Sequence, residues 1–201
     1  KMAQRCVKYT PEMVDESIEM LKLMGIPAFR AKAEGEAQAA VMAANGQLDV
    51  VATQDWDALL YGAPIVIRNL TSDGSKRMGR VIRAQRIELE QILADNDLTR
   101  EQLIDLGIMI GTDFHPGIKG IGPKTGLKLI KKFGNIETIC EEKGKEIPER
   151  IDEIRSIFRN HPVVDVPDED LVQGDVDVDG LKKFLVDDRQ FSQKRFDNAM
   201  E

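Results

Sequence analysis

The chain has 201 residues, of which 42% are hydrophobic and 31% are charged, so it has an ordinary globular composition and can bury a sizeable core. No apolar run approaches the roughly 20 residues of a membrane span, no signal-peptide pattern opens the chain, and two isolated cysteines argue against a disulfide framework, so we expect a protein of a reducing cytoplasm. The net charge of −7 argues against a nucleic-acid partner for the surface as a whole.

The first predicted elements alternate between helix and strand. The chain begins at Lys1 with a helical segment under way, so we expect that a preceding part is missing. Thr10 and Pro11 suit the start of a helix that Gly25 ends. We then predict strands at residues 26–29, 49–53 and 65–70 and helices at residues 36–44 and 55–60. Apolar strands that alternate with helices indicate an α/β fold whose parallel sheet is covered on both faces.

Pairs of carboxylates lie where these elements begin or end. Glu34 and Glu36 open the second helix, while Asp55 and Asp57 follow the carboxyl end of the strand at 49–53, where parallel sheets bind ligands. Four carboxylates at one sheet edge repel one another unless a cation lies between them, and oxygen ligands suit Mg²⁺ or Mn²⁺. The sequence therefore predicts a metal site. Taken singly, the glutamates also fit a helix-dipole role and Asp55 fits an ordinary N-cap.

The middle of the chain is predicted to hold a turn, an edge strand and two helices. The turn is predicted at residues 71–75, the strand at 78–84 with Arg80, Arg83 and Arg86 facing water, and the helices at 87–95 and 99–110. Thr99 and Gln102 form a capping-box arrangement at the start of the second helix. That helix runs into Gly111-Thr112-Asp113, which places another carboxylate just before a glycine-rich stretch.

The glycine-rich stretch at residues 117–124 has the sequence GIKGIGPK and predicts a hairpin between two helices. We expect Gly120 and Gly122 to take positive φ and to let the backbone approach a ligand, while Pro123 starts the next helix. Residues 114–136 contain five lysines and no acidic residue, namely Lys119, Lys124, Lys128, Lys131 and Lys132. This pattern is typical of a hairpin that grips a nucleic-acid backbone. A plain turn with a solvated lysine face is the alternative.

The last part of the chain is predicted to hold a helix at residues 148–160 and an acidic tail with two short helices. The stretch DVDVDG at residues 175–180 resembles a calcium loop, but its twelfth position is Val186 rather than Glu, so we expect no EF-hand there. Asp179 is instead the expected N-cap of one short helix, and Ser192 is the expected cap of the last one.

Four motifs in order and spacing make the chain resemble the flap endonucleases, structure-specific 5′ nucleases of DNA replication and repair, and archaeal members in particular. They are Glu34-Gly-Glu36-Ala-Gln-Ala, Gln54-Asp55-x-Asp57-x-Leu59-Leu60-x-Gly62, Gly111-Thr112-Asp113 and Gly120-Ile-Gly122-Pro-Lys124. The resemblance implies a parallel-sheet 5′-nuclease core of the PIN type and a helix-three-turn-helix region. Residues 1–112 would be the later part of that core, with the end of a helical arch around Met2 to Tyr9. Residues 113–201 would be the DNA-binding hairpin region and a C-terminal segment.

The resemblance also implies the site residues. Catalysis and the binding of two Mg²⁺ ions, with Mn²⁺ as a substitute, are expected of Glu34, Glu36, Asp55, Asp57 and Asp113, and further family carboxylates lie on strands outside this sequence. DNA contacts are expected of Gly117, Lys119, Gly120, Gly122, Lys124, Thr125 and Lys128, although some relatives carry a basic residue at the position of Thr125. The family hairpin also holds a monovalent ion, often K⁺. We expect His115 and His161 to be loop residues rather than ligands.

The implied function is hydrolysis of phosphodiester bonds at 5′ flaps of branched DNA by two-metal-ion catalysis. A related 5′-3′ exonuclease of the same fold and a non-catalytic DNA-binding module are the alternatives. Because part of the family's metal shell lies outside this sequence, an inactive fragment is also considered. The expected partners are flap DNA and, for the full-length protein, a sliding clamp. We expect a monomer without membrane contacts, in the cytoplasm if archaeal and in the nucleus if eukaryotic.

Overall fold

The computed structural model describes residues 9–77 and 79–201, which divide into two compact units, residues 31–164 and residues 9–30 with 165–201. The helices are α1 (Pro11–Leu23), α2 (Gly35–Ala44), α3 (Asp57–Leu60), α4 (Leu89–Asn96), α5 (Arg100–Ile110), α6 (Pro123–Phe133), α7 (Ile136–Lys143), α8 (Ile151–Arg159), α9 (Val178–Lys182) and α10 (Gln193–Met200). The strands are β1 (Val51–Ala52), β2 (Ile65–Arg68), β3 (Lys76–Arg77), β4 (Arg80–Val81) and β5 (Gln85–Glu88). Of the predicted arch segment, only Tyr9 lies within the described residues.

The sheet of the larger unit has three strands in the order β1-β2-β5. β1 and β2 are parallel, as predicted, with Val51 opposite Val66. β5 pairs with β2 in the antiparallel sense, with Ile65 opposite Glu88, so the sheet is mixed rather than wholly parallel. The parallel pair needs a crossover, which α3 provides, and it brings the carboxyl ends of β1 and β2 to the same edge.

The segment between β2 and α4 differs from its prediction. Instead of one edge strand over 78–84, β3 and β4 form a short antiparallel pair, and Met78 lies outside the described residues. The exposure predicted for the three arginines of this region is confirmed for Arg80, Arg83 and Arg86. The helix predicted from residue 87 begins at Leu89, because residues up to Glu88 pair with β2.

Four helices of the larger unit, α5 to α8, share one core with the sheet. Its largest fully buried side chains are Val66, Ile104, Ile108, Met109, Ile130, Ile136, Ile139, Cys140 and Phe158. The capping box predicted at Thr99 and Gln102 is confirmed, with both reciprocal hydrogen bonds present. The capping box fixes the start of α5, and the buried Ile108 and Met109 hold its end, which leads into the loop that carries Asp113.

A buried ion pair joins three of these helices. The Arg155 guanidinium on α8 donates from Nε and Nη2 to the two Asp105 oxygens on α5, at 2.7 and 2.8 Å. Arg155 also donates to Glu137 of α7 at 2.6 Å, and Asp105 accepts the first N–H of α7, from Ile136, at 3.2 Å. The two buried charged side chains of the described residues, Arg155 and Asp105, therefore both form hydrogen bonds, as buried charges require.

The smaller unit contains α1, α9 and α10. Thr10 caps α1 and Gly25 follows its end, as predicted, but residues 26–29 form no strand. Pro27 has no N–H for a sheet ladder, and the Ile26 N–H instead donates to Leu21 O at 2.9 Å. The predicted N-cap Asp179 is also wrong, because the Asp177 side chain accepts from Gly180 N at 2.8 Å. Within the described part, no helix has the length and apolarity to span a membrane.

Candidate metal centre and nucleic-acid interface

The two glutamates lie at the start of α2. Glu34 is the N-cap residue and is exposed, and its backbone N–H donates to His161 Nε2 at 3.3 Å. Glu36, in the first turn, is half-buried and its Oε1 accepts from Thr53 Oγ1 at 3.4 Å. Because Thr53 directly follows β1, this contact ties the start of α2 to the carboxyl end of that strand.

The two aspartates lie in the turn that joins β1 to α3. Thr53 Oγ1 accepts from Asp55 N at 3.1 Å, and Asp55 Oδ1 accepts from Asp57 N at 3.0 Å. Asp55 thus caps the first N–H of α3, so this helix begins at Asp57 rather than at residue 55 as predicted. The cap role and the metal role considered for Asp55 are compatible, because a carboxylate oxygen has more than one lone pair.

Asp113 lies at the tip of a tight turn after α5. Thr112 N donates to His115 O at 2.8 Å and His115 N donates to Thr112 O at 3.2 Å, which closes the turn around Asp113 and Phe114. The Asp113 side chain is exposed. As expected, His115 is a loop residue, and its Nδ1 accepts from Gly117 N at 3.1 Å.

Each of the five carboxylates raises the pKa of Asp57, of Tyr61 or of both. Burial and the neighbouring charges of Asp55, Asp113 and Glu36 raise the pKa of Asp57 to about 6. Burial also raises the pKa of the Tyr61 phenol, and the charges of Glu34, Asp57, Asp113 and Glu36 raise it further. Electrostatic effects of this kind weaken steeply with distance. The structure therefore brings carboxylates from three separate stretches of sequence into one electrostatic neighbourhood.

The donor chemistry of this cluster fits a hard divalent cation, since every candidate ligand is a carboxylate oxygen. Burial and neighbouring like charges raise the pKa of Asp57, and a bound cation would offset both effects by stabilising the charged carboxylate. Within the part of the chain that the structure describes, no three His, Cys, Asp or Glu side chains converge closely enough to hold a metal ion. Metal binding would therefore require these carboxylates to turn toward a shared point.

The sequence alone did not predict that Tyr61 and His161 contact the residues of this cluster. The Tyr61 ring is buried and packs against Phe158, with ring centroids 5.1 Å apart. His161 lies edge-on to Tyr61 at the same centroid distance and accepts the Glu34 N–H, so it holds the start of α2. It is a loop residue, as expected. No local pattern marks either role, because both arise from contacts between distant parts of the sequence.

The hairpin at residues 117–124 is a turn stabilised by its own backbone. Ile121 N donates to Ile118 O at 2.9 Å, with Lys119 and Gly120 at the corner. Gly120 has a φ of 87°, as predicted, whereas Gly122 has a φ of −100° and the positive φ predicted for it is wrong. Gly122 is extended because it is the N-cap residue of α6, and a Cβ there would meet open space.

The exposed groups of this region lie along the hairpin and the start of α6. α6 begins at Pro123, as predicted, and Lys119, Lys124, Thr125 and Lys128 are exposed. Lys124 and Lys128 are one turn apart and so lie on the same face of α6. Lys145, from the loop after α7, donates from Nζ to Lys119 O at 2.7 Å. Free helix N–H groups with several ammonium groups beside them suit the binding of phosphate.

Comparison with known proteins gives consistent matches. Residues 25–113 match the XPG I-region family. Flap endonuclease 1 of Methanosarcina barkeri is 44% identical over 100% of this chain and 60% of its own length. A solved flap endonuclease-1 from Methanococcus jannaschii is 37% identical with a TM-score of 0.77, covering 98% of this chain and 59% of that one. The Rad2 catalytic core in complex with a DNA substrate shares the fold, with a TM-score of 0.78 at 24% identity over 99% and 71% of the two chains.

These similarities confirm the predicted α/β fold with a helical region. The chain spans about 60% of the length of the curated relatives that it matches. The XPG I-region match contains all five candidate carboxylates and ends at Asp113.

Proposed function

The chain belongs to the flap endonuclease family, and on this premise we propose that the whole protein hydrolyses phosphodiester bonds at 5′ flaps of branched DNA during replication and repair. The observation that carries the proposal is the electrostatic cluster, in which Glu34, Glu36, Asp57 and Asp113 all act on Tyr61. Asp55 joins the cluster through Asp57. An electrostatic cluster of acidic groups whose member Asp113 lies four residues before an exposed lysine-bearing hairpin suits a nuclease better than a DNA-binding module.

The proposed metal ligands are the five carboxylates. Asp55, Asp57 and Asp113 would hold one Mg²⁺, and Glu34 and Glu36 would hold a second ion directly or through its waters, with Mn²⁺ as a substitute. When bound, such ions supply a hydroxide at neutral pH and stabilise the charge on the leaving oxygen.

Other groups of this chain would hold the carboxylates in place. Thr53 donates to Glu36 and accepts from Asp55 N, so one hydroxyl orients two of the acidic residues. His161 accepts the N–H of Glu34 and fixes the first residue of α2. Tyr61 stays neutral at physiological pH, because burial and the surrounding negative charges disfavour its anion. It therefore adds no charge to the cluster.

The proposed DNA grip is the hairpin with the start of α6. We assign backbone phosphate contacts to the region of Gly117, Lys119, Gly120, Gly122, Lys124, Thr125 and Lys128, where the lysines and Thr125 are exposed. These contacts fix position without reading bases. A K⁺ ion at the hairpin carbonyls, a sliding clamp as partner of the full-length protein and a monomeric state are further parts of the proposal. Residues 1–112 and 113–201 would serve as nuclease core and DNA-binding region.

The test compares Asp55→Asn with Asp49→Asn in the full-length protein. Asp55 follows the carboxyl end of β1, whereas Asp49 is exposed before its amino end and serves as the matched control. Since loss of even an outer-shell partner costs about 10–100-fold, Asp55→Asn should reduce Mg²⁺-dependent cleavage of a 5′-flap oligonucleotide at least 100-fold. Binding of the same DNA in EDTA should change little, and Asp49→Asn should cleave normally. Retained cleavage by Asp55→Asn would falsify the assignment of Asp55 as a metal ligand, whereas absence of Mg²⁺-dependent cleavage by the unchanged full-length protein would overturn the proposed function.

A further inference from the structure

Trp56 occupies an unusual position for a large aromatic residue. It lies between Asp55 and Asp57, and its side chain is 50% exposed. It is also the only tryptophan of the sequence. A tryptophan that packs in a core removes a large apolar area from water, and this one leaves half of that area exposed. Core packing therefore does not account for it.

Arg68 holds one face of the Trp56 ring. Its guanidinium carbon lies 4.1 Å from the ring centroid, within cation–π distance. The guanidinium is fixed at the end of β2 because Nη2 donates to Gln54 O at 3.1 Å. The Arg68 Nε atom is buried and has no hydrogen-bond partner among the described residues. The arginine thus contacts the ring while its Nη2 is held by Gln54 O, and the indole remains half-exposed.

We propose that the exposed face of Trp56 stacks on an unpaired nucleobase at the phosphate that is cut, or on the base next to it, and that Arg68 positions the ring for this contact. The inference rests on the proposed function. Aromatic side chains stack on bases irrespective of sequence, because every base has a π-face. A base within a duplex has both faces covered by its neighbours, whereas an unpaired base offers a free face.

The place of Trp56 in the chain decides which base it reaches. Its neighbours Asp55 and Asp57 are both proposed metal ligands, so a phosphate bound there lies beside the indole. Successive bases along a strand are only about 3.4 Å apart when stacked, so the base in reach belongs to the reacting nucleotide or its neighbour. Trp56 would then add a preference for junctions with an unpaired nucleotide to the backbone grip of the hairpin. This is specificity for structure without base reading.

The single tryptophan makes the contact directly measurable. The 201-residue chain is titrated in EDTA with an unlabelled 5′-flap oligonucleotide while the intrinsic tryptophan emission is recorded, so no cleavage interferes. Binding is measured independently by anisotropy of the same DNA carrying a dye on its far duplex end. Stacking on a base should quench the emission in parallel with binding. A flap DNA with abasic nucleotides at the junction should bind with little quenching.

Variants give a second readout. Loss of a stacked base contact weakens binding about 5- to 150-fold, so Trp56→Ala should lose that much affinity for the intact flap and much less for the abasic one. Trp56→Phe keeps a ring and should restore most of the affinity. Leu70→Ala is the matched control, because Leu70 is an exposed apolar residue two positions after Arg68. The Leu70→Ala variant should bind the flap DNA with the affinity of the parent chain.

The outcomes separate the two proposals. Quenching that tracks binding, with an Ala variant that is weak on intact DNA only, supports the stacking platform. DNA binding with unchanged emission, or a Trp56→Ala variant with the affinity of the parent chain, overturns it and leaves the proposed function untouched. If anisotropy shows that neither the parent chain nor the full-length protein binds branched DNA, the proposed function fails, and the stacking proposal fails with it.

Discussion

Replacing Arg155 by Leu should destabilise the larger unit more than any exposed charge change. The Arg155 and Asp105 side chains are only 9% and 6% exposed, and they form a bidentate pair. Removing one partner leaves the other charge buried and unpaired, which costs about 3–5 kcal/mol. For a chain of this size about 1 kcal/mol shifts the melting temperature by about 2–4 °C, so Arg155→Leu should lower Tm by about 6–20 °C.

The assay is thermal unfolding of the 201-residue chain followed by circular dichroism. Arg159→Leu is the control on the same helix, since Arg159 pairs with Glu101 at the surface and its loss should cost at most about 1 kcal/mol. The double variant Asp105→Leu with Arg155→Leu removes both buried charges and should recover part of the loss. Recovery should be incomplete, because the Ile136 N–H then lacks its acceptor.

The contact between Arg155 and Glu137 predicts a pH dependence. The hydrogen bond from Arg155 lowers the pKa of Glu137 below its ordinary value of 4.5. This contribution to stability is therefore complete above about pH 4.5 and is lost as the pH falls through the lowered pKa. The gap in Tm between the parent chain and Arg155→Leu should narrow in that acidic window. Equal Tm values for Arg155→Leu and Arg159→Leu at pH 7 would refute the whole line of reasoning.

Three further predictions concern the site. Asp57→Asn should raise Tm by about 2–4 °C at pH 8 in EDTA, because a pKa near 6 reports about 1 kcal/mol of unfavourable burial and repulsion of the charged carboxylate after solvent screening; the gain should vanish as pH falls from 6 to below 4, and an unchanged Tm would contradict it. Lys145→Ala should weaken duplex binding several-fold and Lys143→Ala should not, because only Lys145 donates to the hairpin carbonyl of Lys119; equal affinities in anisotropy would exclude this anchor. Changing Lys124 and Lys128 to Glu should reduce the salt slope of log K by about 1.8, and an unaltered slope would argue against phosphate contacts there.

Much of the fold followed from local signals. The helices with strong caps begin at or within one residue of their predicted starts, at Pro11, Arg100 and Pro123, because a cap side chain or an N-terminal proline acts within its own turn. The wrong strand at residues 26–29 was a short apolar run. Such a run becomes a strand only if a partner strand lies beside it, and this is decided by distant parts of the chain.

The candidate site was also predictable from the sequence only where local patterns determine it. The acidic residues at the ends of regular elements could be predicted from the sequence, since their type and spacing indicate carboxylate binding of a metal ion. The supporting residues are not visible. His161 accepts from Glu34 across 127 positions, and Arg68 meets Trp56 only because β2 lies beside β1. Contacts of this kind depend on the register of the sheet and on where α8 ends, neither of which a local pattern determines.

The link between the carboxylates and the hairpin is made by backbone rather than by side chains. Ile118 N donates to Met109 O at 2.8 Å, which closes the loop after Asp113 against the end of α5. Gly117 has a φ of 87°, and a Cβ there would lie 2.5 Å from Ile110 O, so any other residue would have to move the loop. Asp113 lies only four residues before Gly117. The same tight loop therefore sets both the position of one proposed ligand and the start of the proposed DNA grip. On the proposed function, this loop would place the cut at a constant distance from the bound duplex without any contact to a base.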